Sequence, residues 1–290
     1  MYFFQLFLKR KGLLMKIAIV TDSTADIPVE IVKRNNVHVV PNRVIIDGKD
    51  YADGIDITRQ EFYERLPLME SPPTTSTASS GTYQKLFIKL FDEGIQHIIS
   101  IHVSKYFSGV FNAASTGAQS FSDRMHVIDS EQVTLGLGYQ VIAAAEAAMR
   151  GASLEAVLEL INNVRHRVHV IAMLDTLEYL HKSGRISWAR ARIGSMLRVK
   201  PFIDVIGGHA KRIGDVRTRR RGIERLMRIL NNLGELEQLA VLHTNAEADA
   251  YHFLQEYQGK LDTEAMVIYV TTAIGTHVGP NGVGFVALQK

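Results

Sequence analysis

Residues 15–28 read MKIAIVTDSTADIP, an apolar run over residues 17–20 that turns polar at Asp22, Ser23 and Thr24. A continuous apolar run of this kind is typical of a strand buried on both faces, as in a parallel sheet. Pro28 stands where a helix can begin, because proline at the first helical position loses no hydrogen bond. The stretch therefore predicts a buried parallel strand, a polar loop and a helix.

The same alternation of strand and helix patterns continues beyond this stretch, with VHVVPNRVII expected as a strand pair or one long strand. It predicts an α/β fold with an N-terminal doubly wound parallel-sheet domain at residues 15–165. A new series starts at VHVIAMLDTLEYL and includes a hairpin with Gly207 and Gly208 in its turn, then a last strand GVGFVALQ. We expect residues 166–290 to form a C-terminal α+β sandwich domain.

Composition excludes several classes of protein. The 290 residues contain no cysteine, so there is neither a disulfide framework nor a thiolate metal site, and the net charge is only +3. Residues 1–14 read MYFFQLFLKRKGLL, with the positive charges after the apolar run, which is the reverse of a secretory signal. We interpret residues 1–14 as an N-terminal extension and expect a cytoplasmic protein.

Polar residues follow three of the predicted strands, at residues 22–24, at Ser104 with Ser108 and Gly109, and at Asp129 with Ser130. Ligands of open α/β sheets bind beyond the carboxyl ends of the strands, and helix N-termini attract anions. Each of these residues taken alone is more typical of a helix N-cap. The sequence has no phosphate-binding loop lysine, no dinucleotide-binding glycine motif and no metal-ligand spacing.

Two further segments are candidates for a site. Residues 72–83 read PPTTSTASSGTY, either a flexible linker or a cradle of hydroxyls for an anion. His277 lies in IGTHVGPNGVG, which we expect to be a glycine-rich turn between two apolar strands. An alternative function is a serine acyl hydrolase or acyltransferase in which Ser108 is the nucleophile and His277 its base. Tyr106 stands where a nucleophile elbow would have glycine, and no third member is identifiable.

Six motifs in order, DSTADIP, PTTS, FSGVFNAA, LEYLHKSGRIS, VKPF and THVGPNGVG, make nearly the whole chain after Met15 resemble the DegV family of bacterial fatty-acid-binding proteins. The resemblance implies two α/β domains with a long-chain fatty acid between them and no other cofactor. It implies a lipid-binding protein that is not itself an enzyme. Some family members carry the acyl chain for a fatty acid kinase, whose separate kinase subunit phosphorylates the carboxylate for phospholipid synthesis.

Carried onto this sequence, the resemblance implies that Thr75 or Ser76, Ser108 with Gly109, and the loop from His277 contact the carboxylate. It favours the cradle over the linker for residues 72–83.

This chain departs from the family pattern at several places. Thr77 and Ala78 stand for Gln and Pro, Val110 stands for a Thr and removes a hydroxyl, and Asn281 stands for a Gly. Asparagine also tolerates positive φ, so we expect the loop that contains Asn281 to keep its shape.

Two further groups of residues are candidates for contacts with the acyl tail and with a partner protein. Candidate tail-lining residues in the second domain are Ile171, Met173 and Leu174. Arginines concentrate in residues 185–200 and 217–225, and the candidates for docking a kinase subunit are Arg185, Arg219, Arg220 and Arg221. A solvated basic face, or contact with anionic membrane or nucleic acid, are the alternatives for this cluster.

Overall fold

A computed structural model describes residues 16–121, 123–185 and 199–290. Its strands are β1 (Ile17–Asp22), β2 (His38–Val40), β3 (Arg43–Ile46), β4 (Lys49–Ala52), β5 (Thr74–Ser76), β6 (His97–His102), β7 (Met125–Asp129), β8 (Val168–Met173), β9 (Lys200–Ile206), β10 (His209–Val216), β11 (Leu236–Thr244), β12 (Met266–Tyr269) and β13 (Gly282–Gln289). Its helices are α1 (Val29–Arg34), α2 (Arg59–Arg65), α3 (Ser80–Asp92), α4 (Val110–Ala118), α5 (Leu135–Met149), α6 (Leu154–Arg167), α7 (Glu178–Ser183), α8 (Arg219–Asn231), α9 (Glu247–Glu256) and α10 (Thr272–Val278). The predicted N-terminal extension, residues 1–14, lies outside the described residues.

The first sheet is parallel and has the strand order β2-β1-β6-β7. Strands β1 and β6 are buried along almost their whole length, which explains why their sequences are continuously apolar. The α/β class with a parallel sheet in the N-terminal half is confirmed. All three polar loops expected at strand ends follow β1, β6 and β7 and therefore meet at one edge of this sheet.

A three-stranded antiparallel sheet, β4-β3-β5, was not predicted. The segment VHVVPNRVII divides into β2 and β3, which belong to different sheets, because the chain leaves the parallel sheet at Pro41 and Asn42. The hydroxyl-rich segment starts as strand β5, and Thr75 pairs with Val44. This segment is therefore ordered against a sheet and is not a linker.

The second large sheet has six strands in the order β10-β9-β8-β13-β11-β12, antiparallel except for the pair β11 and β12. The predicted hairpin is β9 and β10, with Gly207 and Gly208 between them at positive φ. Helices α8 and α9 cover one face through an apolar cluster that includes Leu226, Phe253 and Phe285.

The other face of this sheet packs against the N-terminal half of the chain. Val170, Leu242 and Val286 belong to the same buried cluster as Ile99 and Val141, so one hydrophobic core joins the two halves. We keep residues 15–165 and 166–290 as the proposed domains. No helix in the described part of the chain combines the length and apolarity needed to cross a membrane.

Asp26 is a buried carboxylate at the junction of the two halves. It accepts hydrogen bonds from the Thr134 hydroxyl at 2.7 Å and from the Thr271 backbone N–H at 2.8 Å, and Arg59 lies at 3.3 Å. Burial raises the pKa of Asp26 to about 6, although Arg59 and the hydrogen bonds act in the opposite direction.

This raised pKa predicts how pH affects stability. Below pH ~4 the carboxyl is protonated in both the folded and the unfolded chain, and the folded state has the full stabilisation that comes from the raised pKa of Asp26. This stabilisation is lost as pH rises through 6, because the buried carboxyl must then ionise. We expect Asp26→Asn, which stays neutral, to gain about 2 kcal/mol in free energy of unfolding relative to the wild type between pH 4 and pH 7. Urea denaturation of both proteins across this range measures the difference, and parallel pH profiles would contradict the prediction.

Candidate ligand-binding site

A cavity of about 590 Å³ lies between the strand-end loops of the parallel sheet and the face of the six-stranded sheet. This volume is in the range of small-molecule sites. Its wall includes Ala210 of β10 and, beyond the other edge strand, Val270. Strands are ~4.8 Å apart, and residues of the five adjacent strands from β10 to β11 line the cavity, so this wall is about 19 Å wide, which suits an extended chain.

The wall formed by the six-stranded sheet is mostly apolar, and its polar lining residues, His243 and Thr244, are at the end of β11. Val170, Ala172 and Leu174 line it at alternate positions of β8 and the residue after it, because successive side chains of a strand point to opposite faces. Of the predicted tail-lining residues, Leu174 lines the cavity, and its contact with a tail stays a prediction. Ile171 and Met173 do not line the cavity, since they point to the other face and pack into the core beneath α8 and α9.

The opposite wall contains threonine and asparagine side chains whose donors are already used. Thr24 donates its hydroxyl to Asp22 and Thr134 donates to Asp26, while the Asn42 amide lies 3.1 Å from Asp22. Burial alone would raise the pKa of Asp22, but hydrogen bonds from His102 and the other donors lower it below its usual value. Thr24, Thr134 and Asn42 therefore line the cavity, but the donors named above are bonded to aspartates and are not free for a ligand.

One end of the cavity is different, because there Thr75 contacts His277; we call this part of the cavity its polar end. The Thr75 Oγ1 and His277 Nε2 atoms are 2.9 Å apart. The sequence predicted a glycine-rich loop at His277, but the residue lies in the last helical turn of α10. Gly279, the C-cap residue after α10, has a φ of +78°, and a Cβ atom there would lie 2.2 Å from the Tyr179 ring, so no larger residue fits. The turn that follows contains Asn281 at φ 62°, as its tolerance of positive φ predicted.

His277 is neutral at physiological pH. Burial, and after it the positive charge of Arg185, lowers its pKa to about 4. Its Nδ1 atom is buried and has no hydrogen-bond partner within the described ranges. If Thr75 donates to Nε2, the free proton is on Nδ1; if Nε2–H donates to Thr75, the threonine hydroxyl is free. Because Nδ1 is buried, only the second arrangement offers the cavity a donor, which is the Thr75 hydroxyl.

The other predicted carboxylate contacts line the same cavity. Ser76 is on β5 beside Thr75, and Ser108 and Gly109 precede α4, so five predicted residues from three distant segments meet here. The Ser108 hydroxyl accepts a bond from the Val110 N–H at 3.4 Å, and Gly109 is the N-cap of the helix. Val110 is fully buried and leaves the family's hydroxyl position apolar.

Sequence reasoning missed some polar residues of the cavity. Asn112 and Lys105 line it; Asn112 is in the first turn of α4, just after the predicted residues Ser108 and Gly109. Arg185, predicted for docking, also lines the cavity while remaining exposed.

The three remaining docking candidates do not line the cavity. Arg219 bonds Asp249 at 2.5 Å and the Asn281 carbonyl at 2.7 Å, and Arg220 bonds Glu224 at 2.8 Å. Arg221 is exposed. The other arginines of the first predicted cluster, Arg190, Arg192 and Arg198, lie outside the described residues.

The geometry does not support the serine hydrolase alternative. His277 uses Nε2 to contact Thr75 instead of Ser108, and no carboxylate of the described chain contacts its Nδ1 to complete a triad. Residues 16–121, 123–185 and 199–290 also contain no group of three side chains that could hold a metal ion.

Comparison with known proteins assigns the chain and its fold to a family. Residues 16–290 match the model of the DegV family, described as an uncharacterised protein family. The chain belongs to the DegV family. A DegV domain-containing protein of Caldanaerobacter subterraneus is 34% identical over 284 residues, covering 95% of this chain and 99% of that protein.

Solved DegV structures have the same fold. The chain matches a DegV family protein from Thermus thermophilus, described by its fatty acid binding, with a TM-score of 0.87 and 30% identity over 95% of this chain and 100% of that one. It matches DegV from Bacillus subtilis, described as a fatty acid binding protein, with a TM-score of 0.84 and 30% identity over the same shares.

The charge of Arg185 gives a prediction for the protonation of His277. We expect Arg185→Gln to raise the pKa of His277 above about 4, because a positive charge that disfavours the protonated ring is removed. The pKa should stay below 6.5, since burial is the larger cause. NMR titration of the ring measures this, and a pKa that is unchanged or lower would contradict the prediction.

Proposed function

We propose that this DegV protein binds a long-chain fatty acid in the cavity, with the carboxylate held by Thr75, Ser76, Ser108, Gly109 and His277. The observation that carries the proposal is the Thr75–His277 pair at the polar end of a cavity whose sheet wall is mostly apolar. The fatty acid binding described for the Thermus and Bacillus proteins supports the same ligand class.

The tail and the head group have separate roles in this proposal. Burying ~16 carbons at ~0.8 kcal/mol per CH₂ contributes on the order of 10 kcal/mol before the costs of association. Hydrogen bonds from neutral donors to a carboxylate contribute about 1.5–3 kcal/mol each. The tail therefore sets most of the affinity, and the head group sets the orientation of the ligand.

We propose further that the protein is not an enzyme and presents the carboxyl group to a separate kinase subunit. The polar end has neutral donors and no activated nucleophile, which suits a site that holds a carboxylate while a partner supplies ATP. The exposed Arg220 and Arg221 at the start of α8 are the proposed docking residues, together with Arg185. Arg219, the fourth candidate, bonds Asp249 and the Asn281 carbonyl, next to the lining residue Gly282.

Native mass spectrometry of the purified protein tests the ligand class: a non-covalent adduct of fatty-acid mass is expected. Thr75→Val and Ser108→Ala should each weaken palmitate binding by about 10- to 100-fold, because one bond to the carboxylate is lost. Binding of hexadecanol, which has the same tail and no carboxylate, should change much less.

The matched control for these variants is Ser120→Ala, which removes an exposed hydroxyl outside the cavity. Equal losses for palmitate and hexadecanol would count against head-group contacts at Thr75 and Ser108. Absence of any acyl ligand, with no affinity for palmitate, would remove the proposed function.

For docking, we expect Arg220→Glu with Arg221→Glu to weaken association with a fatty acid kinase subunit at least tenfold at low salt, because both charges are exposed. Raised salt should reduce the difference. The control, Arg228→Glu, reverses one charge on α8 about 10 Å further along the helix and is compared with each single variant as well as with the pair. Equal affinities for the double variant and the control would exclude this docking surface.

A further inference from the structure

Asp53 is a buried carboxylate that joins distant segments behind the polar end of the cavity. It accepts hydrogen bonds from Ser23 Oγ at 2.6 Å, Thr271 Oγ1 at 2.5 Å and Thr272 Oγ1 at 2.6 Å. The Ala273 backbone N–H lies 3.4 Å from the same carboxylate. Because an unpaired buried charge is costly, these bonds fix the loop after β4 to the loop after β1 and to the start of α10.

Asp53 takes the place of the N-cap side chain of α10. Thr271 is the N-cap residue, but its own hydroxyl makes no capping bond and donates to Asp53 instead. A negative charge is favourable at this end of a helix, where backbone N–H groups are free. The carboxylate therefore determines where α10 begins, and His277 follows Thr272 by about one and a half turns.

Asp53 is equally fixed to the sheet that carries Thr75. It follows β4, which pairs with β3, and β3 pairs in turn with β5 at Val44 and Thr75. Its backbone N–H also donates to the Asn42 carbonyl at 2.9 Å, just before β3. The three-stranded sheet and α10 are thus joined at two points, by Asp53 at one end of the helix and by Thr75 with His277 at the other.

We infer that Asp53 is a positioning residue that holds His277 at hydrogen-bonding distance from Thr75 and thereby sets the strength with which this pair binds a carboxylate. The second half of this inference rests on the proposed function, whereas the first half concerns the protein without ligand. Asp53 itself does not line the cavity and acts through α10.

The experiment compares Asp53→Asn, Asp53→Ala and the milder Thr272→Val, which removes one donor and leaves the carboxylate bonded to Thr271 and Ser23. The first readout is the ¹⁵N shift of the His277 ring in the ligand-free protein, with Thr75→Val as the reference for a lost bond. We expect the His277 ¹⁵N shift in the Asp53 variants to move toward this reference value, and the shift in Thr272→Val to move part of the way.

The second readout is the ratio of palmitate to hexadecanol affinity, which a general loss of stability would not change. We expect the ratio to fall about tenfold in Asp53→Ala and to stay at the wild-type value in Asp56→Asn. Asp56 is the matched control, because its carboxylate bonds the Ala52 N–H in the same loop at 2.7 Å and does not contact α10.

A wild-type His277 signal in the Asp53 variants, or in Thr272→Val if those variants do not fold, would overturn the inference. So would an unchanged affinity ratio in folded Asp53→Ala when the wild-type protein prefers palmitate. If the wild-type protein shows no such preference, the proposed function fails, and the ligand-free His277 signal decides the positioning role by itself.

Discussion

Three buried carboxylates, Asp22, Asp26 and Asp53, impose the constraint on which the rest of this structure depends. A charge in a protein interior must be matched by donors, and here the donors come from segments far apart in sequence, as for Asp26 and Thr271, which are 245 residues apart. Strand-end loops that would otherwise have many conformations are therefore held in one arrangement. The same bonds join the parallel sheet, the small antiparallel sheet and the six-stranded sheet around a common cavity.

This constraint also explains why the cavity has one polar end. Thr24 and Thr134 have their hydroxyl protons committed to aspartates, whereas Thr75 pairs with a neutral histidine and leaves one donor available. A polar end and an apolar wall suit a ligand that has an anionic group and a long apolar tail. The anionic group fits only the polar end, because the apolar wall cannot solvate the charge. The exposed Arg185 adds positive potential at this end without becoming a buried ion that would need a permanent partner.

The sequence predicted the features that have a strong periodic signal. Buried parallel strands such as β1 and the β9–β10 hairpin were recognisable because each is a continuous or turn-bounded pattern. The three-stranded sheet was missed because strands of three or four residues, such as β5, carry too little periodicity. His277 was assigned to a turn because of the glycines around it, but Asp53 stabilises a short helix there, and a partner 220 residues away leaves no local signal. For Ile171 and Leu174 the alternation was visible, yet both sheet faces are buried, so sequence alone could not tell which one faces the cavity.

The apolar wall and the polar end of the cavity are built differently: a single sheet forms the wall, and several separate segments form the polar end. The tail wall is one face of a single hydrogen-bonded sheet, so its shape depends on side-chain size at positions such as Ala172. The polar end is assembled from β5, α10 and the loop before α4, and α10 in turn contacts Tyr179 of α7 at Gly279. A small displacement of α10 changes the distance from His277 to Thr75 and moves the lining residues Ala273, Ile274 and Val278, while the wall formed by the sheet stays as it is. Under the proposed function, recognition of the acid group therefore depends on the position of α10, and recognition of the chain depends in addition on side-chain size along the sheet.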